Sequence, residues 1–270
     1  MNSELVIRNS LDEQAKTHAL RQAQILARLN ISTFQSIAEL ATTFDVSPQT
    51  IRRDVNELAL QGLCRRSHGG IWSVQSIKNQ DYAERRQIEH SAKKQIAALV
   101  AEQVPDGSSL FLGIGTTIEL CAMALAHKKN LRVMTNNLHA VVALARNKDT
   151  EIFISSGRVR NLDLDVVSVD AHNFFNRYAV DIGIFGVGAV SADGALLDFH
   201  EDEARMRNVL ARNCRLKFLA FDASKFERRA TIRDGHISDV DAVFTDFCLP
   251  EQILEIVNDA GVQLFTPSTF

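Results

Sequence analysis

No stretch of this sequence reaches the ~18 consecutive apolar residues of a membrane-spanning helix. The opening MNSELVIRNSLDEQAK is polar and acid-containing and lacks the apolar segment of a secretory leader. The four cysteines, Cys64, Cys121, Cys214 and Cys248, form no C-x-x-C pair, which excludes a zinc ribbon, a dithiol redox motif and a secreted disulfide framework. A soluble, untargeted protein of the reducing cytoplasm is expected, without membrane contact, metal or cofactor. Neither G-x-G-x-x-G nor G-K-[ST] occurs, which disfavours a dinucleotide or nucleoside triphosphate as ligand. An excess of one charge is missing as well, with 30 Lys and Arg against 33 Asp and Glu. Residues 1–72 carry +1 and residues 73–270 carry −4, too small an asymmetry to argue for nucleic acid. Any such argument has to come from local arrangement.

What is present is ample apolar material, 46% of 270 residues, enough for two domains. A boundary is expected near residue 75. It would separate a first domain at 1–75, with its core at about 18–73 behind a polar extension, from a second at 76–270.

In the first domain, Ile25, Leu26, Leu29 and Ile31 mark a helix ending near Asn30. Ser36 with Glu39 forms a capping-box pair, and Ile37, Leu40, Ala41 and Phe44 then follow at helical spacing. After a break at Asp45-Val46, Ser47 is an N-cap and Pro48 a first helical residue, so a third helix starts there and stops before Gly62. Ile51, Val55, Leu58 and Ala59 form its apolar face. The opposite face carries Gln49, Arg52, Arg53 and Asn56, side chains whose donors and acceptors match base edges in a major groove. Ser47 and Thr50 sit at the helix start, where hydroxyls and free N–H groups suit phosphate. Arg65, Arg66 and His68 before Gly69-Gly70 give a hairpin with a basic tip. Two short helices joined by a tight turn and followed by a hairpin make a winged helix-turn-helix. An Arg-bearing face is by itself most often a solvated surface; the order and spacing of cap, Ser-Pro start and hairpin favour DNA.

The segment VSPQTIRRDVNEL at 46–58, with His68-Gly69-Gly70 after it, resembles the DNA-binding signature of the DeoR family of bacterial repressors. The resemblance implies operator binding, with Asp54 and Glu57 as helix-stabilising or positioning residues.

Residues 73–90 are polar and charged, as expected of a linker running into a helix at 93–104. Beyond it one unit repeats: a short apolar run, a cluster of small polar residues, then a helical pattern. The apolar runs are Ser109–Leu112, Leu131–Met134, Glu151–Ile154, Asp181–Phe185 and Lys217–Phe221. An α/β domain with a largely parallel sheet follows, and its polar clusters gather at the strands' carboxyl ends, where such sheets bind ligands. Gly115, Thr116 and Thr117, then Gly186 and Gly188, offer backbone N–H groups and hydroxyls to an anion. Arg158, Arg160 and Lys225 offer positive charge, Thr135, Asn136 and Asn137 suit polyol hydroxyls, and Gly157 and Asp222 lie in the same clusters. Any one such loop is as often a plain tight turn. Together they point to a small phosphorylated ligand.

The family resemblance extends over about 84–246 through I-G-T-T at 114–117, T-N-N at 135–137, the glycine segment at 181–189, Asp193-Gly194 and D-A-S-K-F at 222–226. It implies a sugar-phosphate sensor similar in fold to ribose-5-phosphate isomerases. The L-L-D-F run at 196–199, with Glu203 and Arg205, implies glycerol 3-phosphate as effector and glycerol metabolism as the regulated function. The sequence departs from the family at Gly113, where an acidic residue is common, and at 161–165, where a glycine-rich stretch is altered. A repressor of another sugar-phosphate operon is the alternative. An isomerase-like enzyme would need Asp163, Asp198 or Asp222 as base and would have no use for a winged helix, and a ligand-free nucleic-acid-binding protein would have none for the strand-end loops. Catalytic residues are therefore expected to be absent. A homo-oligomer, dimer or tetramer, is expected from the two-half-site geometry of helix-turn-helix proteins, and the helix near 80–104 is expected to differ between ligand states.

Overall fold

The structure, a computed structural model, describes residues 17–29, 34–67, 70–73, 81–226 and 228–267. The chain divides into two compact units, 1–77 and 78–270.

Unit one opens with helix α1 (17–29), followed by β1 (Phe34–Ser36), α2 (Ile37–Phe44), α3 (Pro48–Leu60), β2 (Cys64–Ser67) and β3 (Gly70–Ser73). The strands form an antiparallel sheet in the order β1-β3-β2. Local chemistry sets both helix starts. Ser36 accepts from the Glu39 N–H at 3.1 Å while the Glu39 carboxylate takes the Ser36 N–H at 3.3 Å, a complete capping box. Ser47 caps α3 through the Thr50 N–H at 3.1 Å, with Pro48 in the first turn. Between the helices the chain turns at Asp45 in the left-handed region, φ 50°, which a short polar side chain tolerates. Ile25, Leu29, Leu40, Ile51, Val55, Leu58 and Ile71 close one small core, each contributing about 1.5–3 kcal/mol by leaving water.

Unit two is built on seven parallel strands in the order β15-β14-β12-β9-β4-β5-β6. These are β4 (Ser109–Leu112), β5 (Arg132–Thr135), β6 (Glu151–Ile154), β9 (Val180–Phe185), β12 (Cys214–Ala220), β14 (Ala242–Phe244) and β15 (Gln263–Phe265). Side chains alternate across this sheet. Leu110 and Leu112 join Ile96, Val100, Ile118 and Leu125 on one face, while Phe111 joins Phe174, Phe175, Met206 and Leu210 on the other. Helices α5 (His90–Glu102), α6 (Thr116–Leu125) and α7 (Leu138–Leu144) supply the first face; α8 (Val169–Phe175) and α9 (Glu201–Arg212) supply the second, and α10 (Glu251–Asp259) packs in a third cluster of buried residues. Burial on both faces explains why the central strands read as continuous apolar runs. Two smaller sheets lie in the crossovers: the hairpin of β7 (Arg158–Arg160) and β8 (Asp165–Val167), and an antiparallel trio of β10 (Ala189–Val190), β11 (Ala195–Asp198) and β13 (Ile232–His236).

One expectation needs correction. The charged segment 73–90 is not linker throughout, because it contains a short helix, α4 (Tyr82–Gln87), that belongs to unit two. Tyr82 is buried, its hydroxyl donates to Glu119 at 3.0 Å and its ring stacks on His139 at 4.2 Å. Arg86 adds an ion pair to the same carboxylate at 3.0 Å. Of the charges that suggested a solvated linker, Arg85 is largely covered, while Asp81, Glu84 and Arg86 keep their exposure to water.

Candidate functional site

In unit one, α3 separates its charges by direction. Asp54 points inward, 1% exposed, and accepts from Arg21 Nε at 2.5 Å and Nη2 at 3.2 Å, with His18 Nε2 at 2.8 Å. Glu57 receives Gln22 at 3.1 Å and faces Arg53 at 3.5 Å. Gln49, Arg52, Arg53 and Asn56 are exposed. Both acids on α3 are thus occupied by partners, and the outward face retains Arg52 and most of Arg53 as unbalanced positive charge. Ser47 and Thr50 cap the helix and share a 2.9 Å contact between their hydroxyls, at a helix start whose dipole favours an anion. Arg65 and Arg66 lie on β2, Arg66 exposed. His68, the predicted wing tip, lies outside the described residues.

In unit two, a cleft opens at the carboxyl ends of the central strands, with about 800 Å³ of free space including its mouth. Gly115, Thr116, Thr117, Gly186, Gly188 and Lys225 line it, as predicted. Gly115, φ +107°, turns the chain from β4 into α6, so the first amides of a ten-residue helix face the cleft beside the Thr116 and Thr117 hydroxyls. Gly188 allows β11 to approach so closely that a Cβ there would lie 2.9 Å from the Leu197 carbonyl.

The other predicted residues lie outside the lining, and most of them have a structural task. Thr135 donates to the Leu112 carbonyl at 2.7 Å. Asn137 caps α7 through two backbone N–H groups and donates to the Gly113 carbonyl at 3.2 Å. Asn136 donates to the Val166 carbonyl at 3.1 Å, while its Oδ1 has no hydrogen-bond partner among the described residues. Gly157 packs on Ser168, where a Cβ would lie 2.7 Å from its hydroxyl. Arg158 is exposed on β7. Arg160 is spent on three carboxylates, Asp165 at 2.7 Å, Glu203 at 2.9 Å and Asp163 at 3.9 Å. Asp222 is fully buried, accepts the Ser224 N–H at 3.0 Å and faces Lys93 Nζ at 3.8 Å; burial alone would raise its pKa, but Lys93 and Lys225 hold it below the ordinary carboxylate value.

The lining also includes Arg85 and Arg207, which the sequence did not announce, with Asp163, weighed only as a possible base, and Asp198, Phe199 and Glu203, which entered through the family resemblance. Arg85 pairs with Asp163, and Arg207 pairs with Asp198. Glu203 pairs with Arg160, yet burial lifts its pKa above the ordinary value. Burial likewise raises Asp198, which also accepts the Gly188 N–H at 2.8 Å. Lys225 is the exception. It is only 8% exposed; its side-chain nitrogen makes no close hydrogen bond or ion pair among the described residues, and the charge of Asp222 acts on it from further away. Burial first, and then the neighbouring Arg228, push its pKa well below that of an ordinary lysine. An anion in the cleft would supply what this ammonium lacks.

Among the described residues no cluster of His, Cys, Asp and Glu could hold a metal ion, and no helix is long and apolar enough to cross a membrane. The chain is 40% identical over 231 residues to the glycerol-3-phosphate regulon repressor of Escherichia coli, covering 86% of this chain and 92% of that protein. It is 39% identical over 246 residues to the repressor of the same description from Haemophilus influenzae, covering 91% and 96%. Ribose 5 phosphate isomerase A from Neisseria gonorrhoeae overlays 51% of this chain and 54% of its own at 22% identity, with a TM-score of 0.34. Residues 21–77 match the DeoR-like helix-turn-helix domain and residues 88–247 match the DeoR C terminal sensor domain, and the chain therefore belongs to the DeoR family of transcriptional repressors, a regulator and not an enzyme.

Proposed function

We propose that this protein represses genes of glycerol and glycerol 3-phosphate metabolism in the cytoplasm, binding double-stranded operator DNA as a homo-oligomer and leaving it when glycerol 3-phosphate occupies the cleft of unit two. The observation that carries the effector class is Lys225, a buried lysine whose side-chain nitrogen makes no close hydrogen bond or ion pair among the described residues and which lines the cleft with the amino terminus of α6. Phosphate, with nearly two negative charges, would accept from the α6 amides and the Thr116 and Thr117 hydroxyls and form a charge-assisted bond with Lys225. Glycerol 3-phosphate adds two hydroxyls, for which Asp198 and Glu203 are acceptors across the same cleft. The likeness to two glycerol-3-phosphate regulon repressors supports this effector over other sugar phosphates.

The test measures the bound fraction of a duplex that the protein selects from a random pool, against increasing ligand. Glycerol 3-phosphate should release the DNA, whereas glycerol, lacking the anion, should not. Lys225→Ala and the double change Thr116→Ala, Thr117→Ala should bind DNA without responding to ligand. Release by ribose 5-phosphate or a fructose phosphate in its place would keep the mechanism and change the effector. Release by none of them, with no calorimetric binding of any, would refute the sensor.

A further inference from the structure

We propose that Arg85 carries the state of the cleft to helix α4, by exchanging its carboxylate partner Asp163 for the phosphate of the bound effector. This rests on the cleft being the effector site. Arg85 belongs to α4, the first described helix after residues 74–80, which connect the two units in sequence. Its guanidinium is 11% exposed, pairs with Asp163 in the turn between β7 and β8, and lies over the Tyr82 ring at 5.2 Å. It also lines the cleft together with Gly115, Thr116, Thr117 and Lys225, so an anion seated at the start of α6 comes within its reach.

The backbone of α4 is tied to the same place. The Arg85 carbonyl accepts from Lys93 Nζ at 2.6 Å and lies 3.5 Å from the Thr116 hydroxyl, and the Ile88 carbonyl accepts from Lys93 at 2.5 Å. Lys93 in turn faces Asp222, three residues before Lys225. One helix is therefore anchored through its main chain while its arginine is shared between a carboxylate and the ligand space.

A phosphate dianion offers the guanidinium fork more charge and more oxygens than one carboxylate does. It also repels Asp163, which lines the same cleft. Once Asp163 is displaced, Arg160, at 3.9 Å, is the cation left beside it. The two states then differ in the partner of Arg85, and a ligand shifts a conformational equilibrium only through such a difference.

The experiment uses the full chain with Arg85→Gln and Asp163→Asn, titrated calorimetrically with glycerol 3-phosphate and with inorganic phosphate. Hydrogen exchange of the α4 amides is followed with and without ligand. Arg85→Gln should weaken both ligands by about tenfold or more and abolish the ligand-induced change in α4 exchange. Asp163→Asn removes the competitor, so it should tighten both ligands by about 3- to 10-fold and lower the effector concentration that releases DNA. A purely structural ion pair predicts the reverse for Asp163→Asn, a looser α4 and no gain in affinity. Unchanged binding by Arg85→Gln, or no tightening by Asp163→Asn while the wild type binds, overturns the proposal. If Arg85→Gln does not fold, Asp163→Asn decides alone. A wild type that binds neither probe overturns the sensor itself, and the coupling with it.

Discussion

Asp54 lies on α3, the helix expected to read DNA, but turns its carboxylate away from the exposed face of Arg52, Arg53 and Asn56, and removing that carboxylate tests whether the winged unit depends on it. Asp54→Ala would leave Arg21, 14% exposed, without its bidentate acceptor, and His18 without its nearest one. Breaking a buried ion pair from one side costs about 3–5 kcal/mol; because Arg21 keeps some access to water, about 2–4 kcal/mol is expected. A unit of roughly 60 residues has only about 3–9 kcal/mol of stability in total, so roughly half of it would be lost. At about 4–8 °C per kcal/mol for so small a domain, its calorimetric transition should fall by about 10–30 °C while that of the sensor unit stays in place. DNA binding should then disappear at growth temperature and return on cooling. Replacing both partners, Arg21→Met with Asp54→Leu, should restore much of the loss, because no buried charge is left alone. An Asp54→Ala protein that melts like wild type yet binds no DNA when cold would refute the argument and place Asp54 at the interface.

Lys225 should take up to one proton when an anion binds above its depressed pKa, since burial disfavours the charged form in the empty cleft and phosphate favours it; calorimetry in buffers of different ionisation enthalpy reads this directly, and tight binding with no buffer dependence would refute it. Burial and the charge of Asp222 raise Asp246 to about 6, so the folded state binds the extra proton and stability from this group falls as pH rises from about 4 to 6. Asp246→Asn should therefore gain up to about 3 kcal/mol at pH 7.5 and nothing at pH 4, by thermal melts; equal effects at both pH values would contradict the assignment. Gly188→Ala should cost about 1–3 kcal/mol and weaken the effector, because its Cβ meets the backbone of β11 as well as the Asp198 carboxylate; retention of both wild-type stability and affinity would show that the strand yields freely.

Legibility in the sequence followed the range of the interaction. Ser36 with Glu39 and Ser47 with Pro48 announce their helices because a cap is written within four residues. The strands were legible because two-sided burial leaves an unbroken apolar run such as Ser109–Leu112. Arg85 and Arg207 were not, since their partners are distant in the chain or set by a crossover, and in sequence they resemble any charged solvent-facing side chain. Thr135, Asn136 and Asn137 were legible as a polar cluster but not as to its use. A polar cluster at a strand end suits a ligand and a helix cap equally well, and here the cap and the neighbouring carbonyls use it.

The order of the large sheet also sets the order in which the two units can form during synthesis. Strand β9 lies between β4 and β12, and Ser109 is fastened to Asp181, 72 residues later, by its N–H at 2.9 Å and its hydroxyl at 2.6 Å. The pairing of β9 with β12, and the Lys225 wall of the cleft that follows it, cannot form until β12 has been made, whereas the strands of the winged unit are finished by Ser73. Contacts between distant segments are slow to form and local ones fast. A chain interrupted before Cys214 thus has a reader of DNA and no cleft to silence it, so premature termination in the second half of such a gene should give cells that cannot be induced.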